Sequence, residues 1–142
     1  MMETMIVAAD EDALSEVNDF LDEKLEGIAC SSKARFQIEL AVEEIFVNLA
    51  SYAYEEESTK DSCLYRKVEV GCEAEPEKIT ICFMDSGTPF DPLQRERADT
   101  SGKMFMERVG GFGIHLVRET MDDVTYEYRD GKNILTIVKI LQ

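Results

Sequence analysis

Three short stretches of this chain carry residues suited to chemistry. Gly110-Gly111-Phe112-Gly113 runs straight into the apolar-spaced segment Ile114-His115-Leu116-Val117. Glycine lets the backbone bend and lets a ligand approach its N–H groups closely. A helix that follows aims unpaired amides and its positive dipole end at the same place, so phosphate is the natural guest. Glu44 and Asn48 lie four residues apart, which puts both on one face of a helix. A carboxylate and an amide oxygen are hard donors suited to Mg²⁺. The carboxylate can also orient or deprotonate an attacking hydroxyl. Asp85-Ser86-Gly87 follows a strand-like run. It predicts a sharp turn with one carboxylate at its start, able to accept from an exocyclic amino group. Taken singly, these are a tight turn, two solvated helix residues and an Asx-turn. Taken together they point to a nucleotide.

The elements that must position them are legible in the periodicity. Residues 5–9 read as a short edge strand. Asp10 is expected to cap a helix carrying Leu14, Val17, Phe20 or Leu21, and Leu25, which Gly27 stops. Ser31 and Ser32 open a longer helix to about Tyr54, with an apolar stripe of Ile38, Ala41, Val42, Ile45, Leu49 and Tyr52. Val68, Val70 and Cys72 alternate with polar neighbours, as do Ile79, Ile81 and Phe83. The two runs predict a hairpin around Pro76. Residues 93–110 lack clear periodicity and are expected to form a mobile lid. Ile114, Val117 and Met121 give the next helix its apolar face. Val124, Tyr126 and Tyr128, the turn Asp130-Gly131, then Ile134, Thr136, Val138 and Ile140 predict a second hairpin. The order β-α-α-β-β-loop-α-β-β favours an α+β two-layer sandwich. It would be a mostly antiparallel, mixed sheet with about three helices on one face.

Composition narrows the function. The chain has 142 residues, enough for one domain over residues 1–142, and a net charge of −15. So acidic a chain does not suit nucleic acid or an anionic membrane, both of which need clustered Lys and Arg. No apolar run reaches the ~20 residues of a membrane span, and the first residues do not read as a signal peptide. A cytoplasmic protein is expected. The four cysteines, Cys30, Cys63, Cys72 and Cys82, form no C-x-x-C pair and read as reduced structural thiols.

In this chain order, the Asn-bearing helix, the D-x-G turn, a variable loop and the G-x-G helix start resemble the N, G1 and G2 boxes of the gyrase/Hsp90/histidine-kinase/MutL ATPase superfamily. The chain is most similar to one branch, the stand-alone anti-sigma-factor serine kinases of the RsbW and SpoIIAB type. Glu44 to Asn48 followed by Tyr52-Ala53-Tyr54, the Pro89-Phe90-Asp91-Pro92 run, and the sequence from Gly111 through Met121-Asp122-Asp123-Val124 carry that similarity.

The resemblance implies a histidine-kinase-like (Bergerat) ATPase fold that binds ATP and Mg²⁺. It implies that Asn48 ligates Mg²⁺ and that Glu44 acts as general base or positioner of the acceptor hydroxyl. Asp85 would receive the adenine amino group, with Gly87 letting the ring lie close. Gly111 and Gly113 would hold phosphate, and Thr136 matches a threonine near the adenine. The implied activity is protein-serine/threonine phosphorylation of a STAS-type anti-anti-sigma partner, with a sigma factor as the competing partner and a possible homodimer. A non-catalytic switch that holds ATP or ADP is the alternative. Tyr52 stands where the branch carries His. Arg95, Arg97, Lys103 and Arg108 are candidates to reach a γ-phosphate. His115, the single histidine, falls off the apolar face of its helix and reads as a surface residue.

Overall fold

The structure is a computed structural model. It describes residues 2–57, 67–87, 91, 93 and 111–141, without side chains at 51–57 and 111–113. Strand β1 (Glu3–Ala8) leads through a 3₁₀ turn at Glu11–Ala13 into helices α1 (Leu14–Leu25) and α2 (Ser32–Glu57). Strands β2 (Lys67–Ala74) and β3 (Lys78–Asp85) follow, then α3 (Gly111–Thr120), β4 (Asp123–Arg129) and β5 (Lys132–Ile140). The strands form one sheet in the order β1-β2-β3-β5-β4. Every pairing in it is antiparallel.

Local chemistry accounts for the ends of these elements. The Asp10 carboxylate accepts the Asp12 N–H at 3.0 Å. It therefore caps the 3₁₀ turn, and α1 starts only after it. Gly27 ends that region at φ 84°, a left-handed conformation that costs a glycine nothing. Ser31 Oγ accepts the Ala34 N–H at 3.0 Å and caps α2. That helix runs to Glu57, three residues beyond the expected Tyr54. Asp130 and Gly131, at φ 56° and 77°, make the two-residue turn between β4 and β5. Positive φ at both positions matches the twist of the strands they join.

The alternation along each strand sorts the sheet into two faces. One row, Met5–Val70–Phe83–Leu135–Tyr126, crosses all five strands and faces the helices. Phe83 at its centre is 1% exposed. Val17, Leu21 and Leu25 of α1, Ile38, Val42, Ile45 and Phe46 of α2, Ile114 and Val117 of α3, and Met121 just after α3 complete one core with it. Arg35 ties α2 to α1 through Asp22, 2.7 Å away. The opposite face carries the row Ile6–Glu69–Met84–Ile134–Glu127 and is largely open, with Ile6 63% exposed, except where Met2 lies over Gly71 and Cys82. This is the expected two-layer α+β sandwich.

Cys72 is buried in the core, Cys82 is buried on the opposite side of the sheet, and both are free, as is the half-buried Cys30. Burial pushes the Cys72 thiol up to about 11, so at neutral pH it behaves as a small apolar group.

The two faces predict opposite responses to the same kind of truncation. Phe83→Ala should cost about 3–5 kcal/mol in urea unfolding. Ile6→Ala should change stability by less than about 0.5 kcal/mol. Equal losses at both positions would contradict the assigned register.

Candidate functional site

Strand β3 ends on Asp85, and the turn after it is built by that residue's own side chain. Asp85 Oδ1 accepts the Gly87 N–H at 2.8 Å. A second donor reaches the same oxygen. Asn133, at the start of β5, is the register partner of Asp85. Its Nδ2 donates to Asp85 Oδ1 at 3.1 Å and faces the Gly87 carbonyl oxygen at 3.4 Å. Two acceptors on that side fix the orientation of the amide, because only the NH₂ group can meet both. Asn133 Oδ1 therefore takes the hydroxyl proton of Tyr126 on β4. Asn133 is 6% exposed and is the one polar side chain fully buried among the described residues. A buried amide is tolerated when its donors and acceptor are satisfied, as they are in this chain of bonds.

Glu44 and Asn48 sit half-buried on α2, beside the fully buried Ile45 and Phe46. Burial, and secondarily the charge of Glu43, holds the Glu44 carboxyl above the usual carboxylate range. Helix α3 packs against α2 and is anchored in the core by Ile114, Val117 and Met121. Gly111 and Gly113 form its first turn. The first N–H groups of a helix lack partners within it, so this end can receive an anion. His115 is exposed, as expected from its position on the helix.

Leu93, where the expected lid begins, is buried in the core. Its N–H is held by Asp91 Oδ1 at 2.9 Å. The rest of that lid, with Arg95, Arg97, Lys103 and Arg108, lies outside the described residues, as do Gly110 and residues 88–90.

The structure brings Asp85 and Gly87 together and joins them to Asn133. Thr136 lies elsewhere. It pairs with Cys82 in the row Thr4–Gly71–Cys82–Thr136–Thr125, on the open face of the sheet. Asp85 and Asn133 have the opposite parity, that of the core residues Leu135 and Ile137. A side chain three residues along a strand points to the other face, so Thr136 does not share the Asp85 turn. On β5 it is Asn133, and not Thr136, that meets the Asp85 turn. Its signal in the sequence was parity. An asparagine two residues before Leu135 and four before Ile137 is a polar group on a buried face. Tyr126 gave no such signal, because its bond depends on the pairing of β4 with β5.

The residues fit a nucleotide carried with Mg²⁺. No three His, Cys, Asp or Glu side chains gather as a cage among the described residues. The donors on α2 are one amide and one carboxylate, a set suited to a metal that arrives with phosphate oxygens. A hollow of about 150 Å³ at the end of β3 is bordered by Ile6, Glu69, Met84, Asp85, Ser86 and Lys132. It touches the Asp85 turn and is smaller than ordinary ligand pockets of about 300 Å³ or more.

The histidine kinase-like ATPase domain matches residues 7–139 of the chain. The serine-protein kinase RsbW of Listeria monocytogenes is 30% identical over 122 residues, covering 78% of this chain and 72% of the relative. The serine/threonine-protein kinase BtrW of Bordetella bronchiseptica is 24% identical over 107 residues, covering 75% and 71%. Among solved structures, the catalytic domain of the histidine kinase ThkA, in a nucleotide-free form, superposes with a TM-score of 0.52 at 12% identity, covering 98% of each chain. That likeness bears on the fold alone. The long match to the domain, together with the RsbW relative, settles the affiliation: the chain belongs to the histidine kinase-like ATPase family, among proteins of the RsbW type.

Proposed function

We propose that this protein is an ATP-binding anti-sigma regulatory factor that phosphorylates serine or threonine on a STAS-type anti-anti-sigma partner in the cytoplasm, and that a sigma factor competes for the same protein. The observation that carries the reading is Glu44. It is a carboxylate partly withdrawn from water, one helical turn from Asn48, on the helix that packs against the glycine-led α3. The names of the relatives supply the acceptor class. No helix among the described residues is long and apolar enough to cross a membrane.

Asp85 accepts the adenine amino group, and Gly87 keeps the turn close to the ring. The amides at Gly111 and Gly113 hold phosphate oxygens. Asn48 would hold Mg²⁺, which when bound would offset the charge of the phosphates. Glu44 takes the proton of the acceptor hydroxyl as that oxygen bonds to the γ-phosphorus and the bond to ADP breaks. Phosphoryl transfer depends mainly on such positioning and charge compensation. Withdrawal from water raises the proton affinity of Glu44, which suits a base.

Glu44→Gln should bind ATP within about twofold of the parent and lower phosphate transfer to a STAS-type partner by about 100-fold or more, measured with labelled ATP. Transfer at the parental rate would contradict the role of Glu44. The substitution of Tyr52 for the branch's His favours a second reading, a switch that binds nucleotide without transfer. ATP-dependent sigma-factor binding by a parent protein that never labels its partner would select it.

The raised pKa of Glu44 also has a consequence for stability. A carboxyl whose folded pKa lies above its unfolded value favours the fold when protonated. That contribution is full below the unfolded pKa and is lost as pH rises through the folded one. Glu44→Gln should therefore melt above the parent at pH 7, and the gap should close as pH falls below the ordinary carboxylate range. A gap that widens in acid would contradict the shift.

A further inference from the structure

The bonds around Asn133 do more than satisfy a buried amide. Its NH₂ group meets two atoms that belong to different parts of one turn, the Asp85 carboxylate at 3.1 Å and the Gly87 carbonyl at 3.4 Å. The Gly87 N–H closes on the same carboxylate oxygen at 2.8 Å. The side chain and the backbone of residues 85–87 are thereby coupled through a single amide. That amide is in turn oriented by the Tyr126 hydroxyl. Tyr126 and Asn133 are presented by the two strands of the tight β4–β5 hairpin, and Asn133 is held against Asp85 by the β3–β5 register.

We propose that Asn133 and Tyr126 are positioning residues for nucleobase selection. They hold the Asp85 carboxylate in the one orientation that accepts an exocyclic amino group, and so set the preference for adenine over a purine with a carbonyl at that position. The proposal rests on the reading of Asp85 as the adenine acceptor. Its physical basis is directional. A carboxylate free to rotate can present an oxygen to a donor or turn aside from an acceptor, and so discriminates weakly. A carboxylate with one oxygen bound by two fixed donors has its remaining geometry dictated by the protein. Discrimination between purines requires that rigidity, because the wrong base is rejected only when the site cannot adjust to it. Asn133 supplies the second donor, and Tyr126 keeps the amide from flipping its oxygen toward Asp85.

The test compares the full chain with Tyr126→Phe and Asn133→Ala by calorimetric titration with Mg·ATP and Mg·ITP. Inosine carries a carbonyl where adenosine carries the amino group. The readout is the ratio of the two dissociation constants, followed beside the melting temperature of each protein. The parent should favour ATP. Tyr126→Phe should lower that preference by about three- to tenfold, the worth of one directed hydrogen bond. Asn133→Ala should lower it further. Tyr126→Phe removes a single hydroxyl and keeps the ring packed, so it decides the matter if Asn133→Ala does not fold. A purely structural pair would lower the melting temperature and weaken both nucleotides equally, leaving the ratio intact, and that result overturns the proposal. A parent that binds ATP and ITP alike would instead sink the reading of Asp85 itself, and this proposal with it.

Discussion

The antiparallel register of β3 on β5 is the constraint on which the rest of this structure depends. It sets Asp85 opposite Asn133, Phe83 opposite Leu135 and Ile81 opposite Ile137. The same pairing therefore builds the centre of the core and delivers a buried amide to the turn that leaves β3. A slip of one residue would exchange the faces of β5. Leu135 and Ile137 would turn to water and Asn133 would leave the turn. Core stability and site geometry are thus secured by one set of strand contacts. The tight Asp130-Gly131 turn reinforces them by fixing where β5 begins.

The helices lie on the other side of that arrangement. Apolar residues of α1, α2 and α3 cover one face of the sheet, and the flank of α2 is left to carry Glu44 and Asn48, half in water. A carboxylate so placed is costly to keep charged, which is the physical meaning of its raised proton affinity. Perturbed carboxyls of this kind gather where chemistry is done. The strongly acidic surface of the chain adds a further demand. In the proposed function, polyphosphate would have to be met locally, by helix-end amides and a divalent ion, since the net charge of −15 offers it no general attraction.

Much of this was legible in the sequence, and the reason is local. Alternation at Val68-Glu69-Val70, helical spacing from Ile38 to Leu49 and the glycines before Ile114 are signals held within a few residues. They gave both hairpins, the long helix and the glycine-led helix start. Asp10 and Tyr54 erred only at boundaries, where one capping bond or one extra turn decides the end. Thr136 was different. Its assignment followed a family pattern along the chain, whereas the face it occupies is set by its pairing with Cys82 on a distant strand. Asn133 and Tyr126 were missed for the same reason. Their importance lies in a bond network that exists only after β3, β5 and β4 have paired.

The segments where adenine nucleotide meets this chain decide whether the site is the one described. Hydrogen–deuterium exchange with and without Mg·ATP locates them. Added nucleotide should slow exchange at residues 44–48, 85–87 and 111–113 and leave the open-face row through Thr4, Gly71 and Thr136 unchanged. No protection anywhere, or protection confined to that open face, would contradict that site.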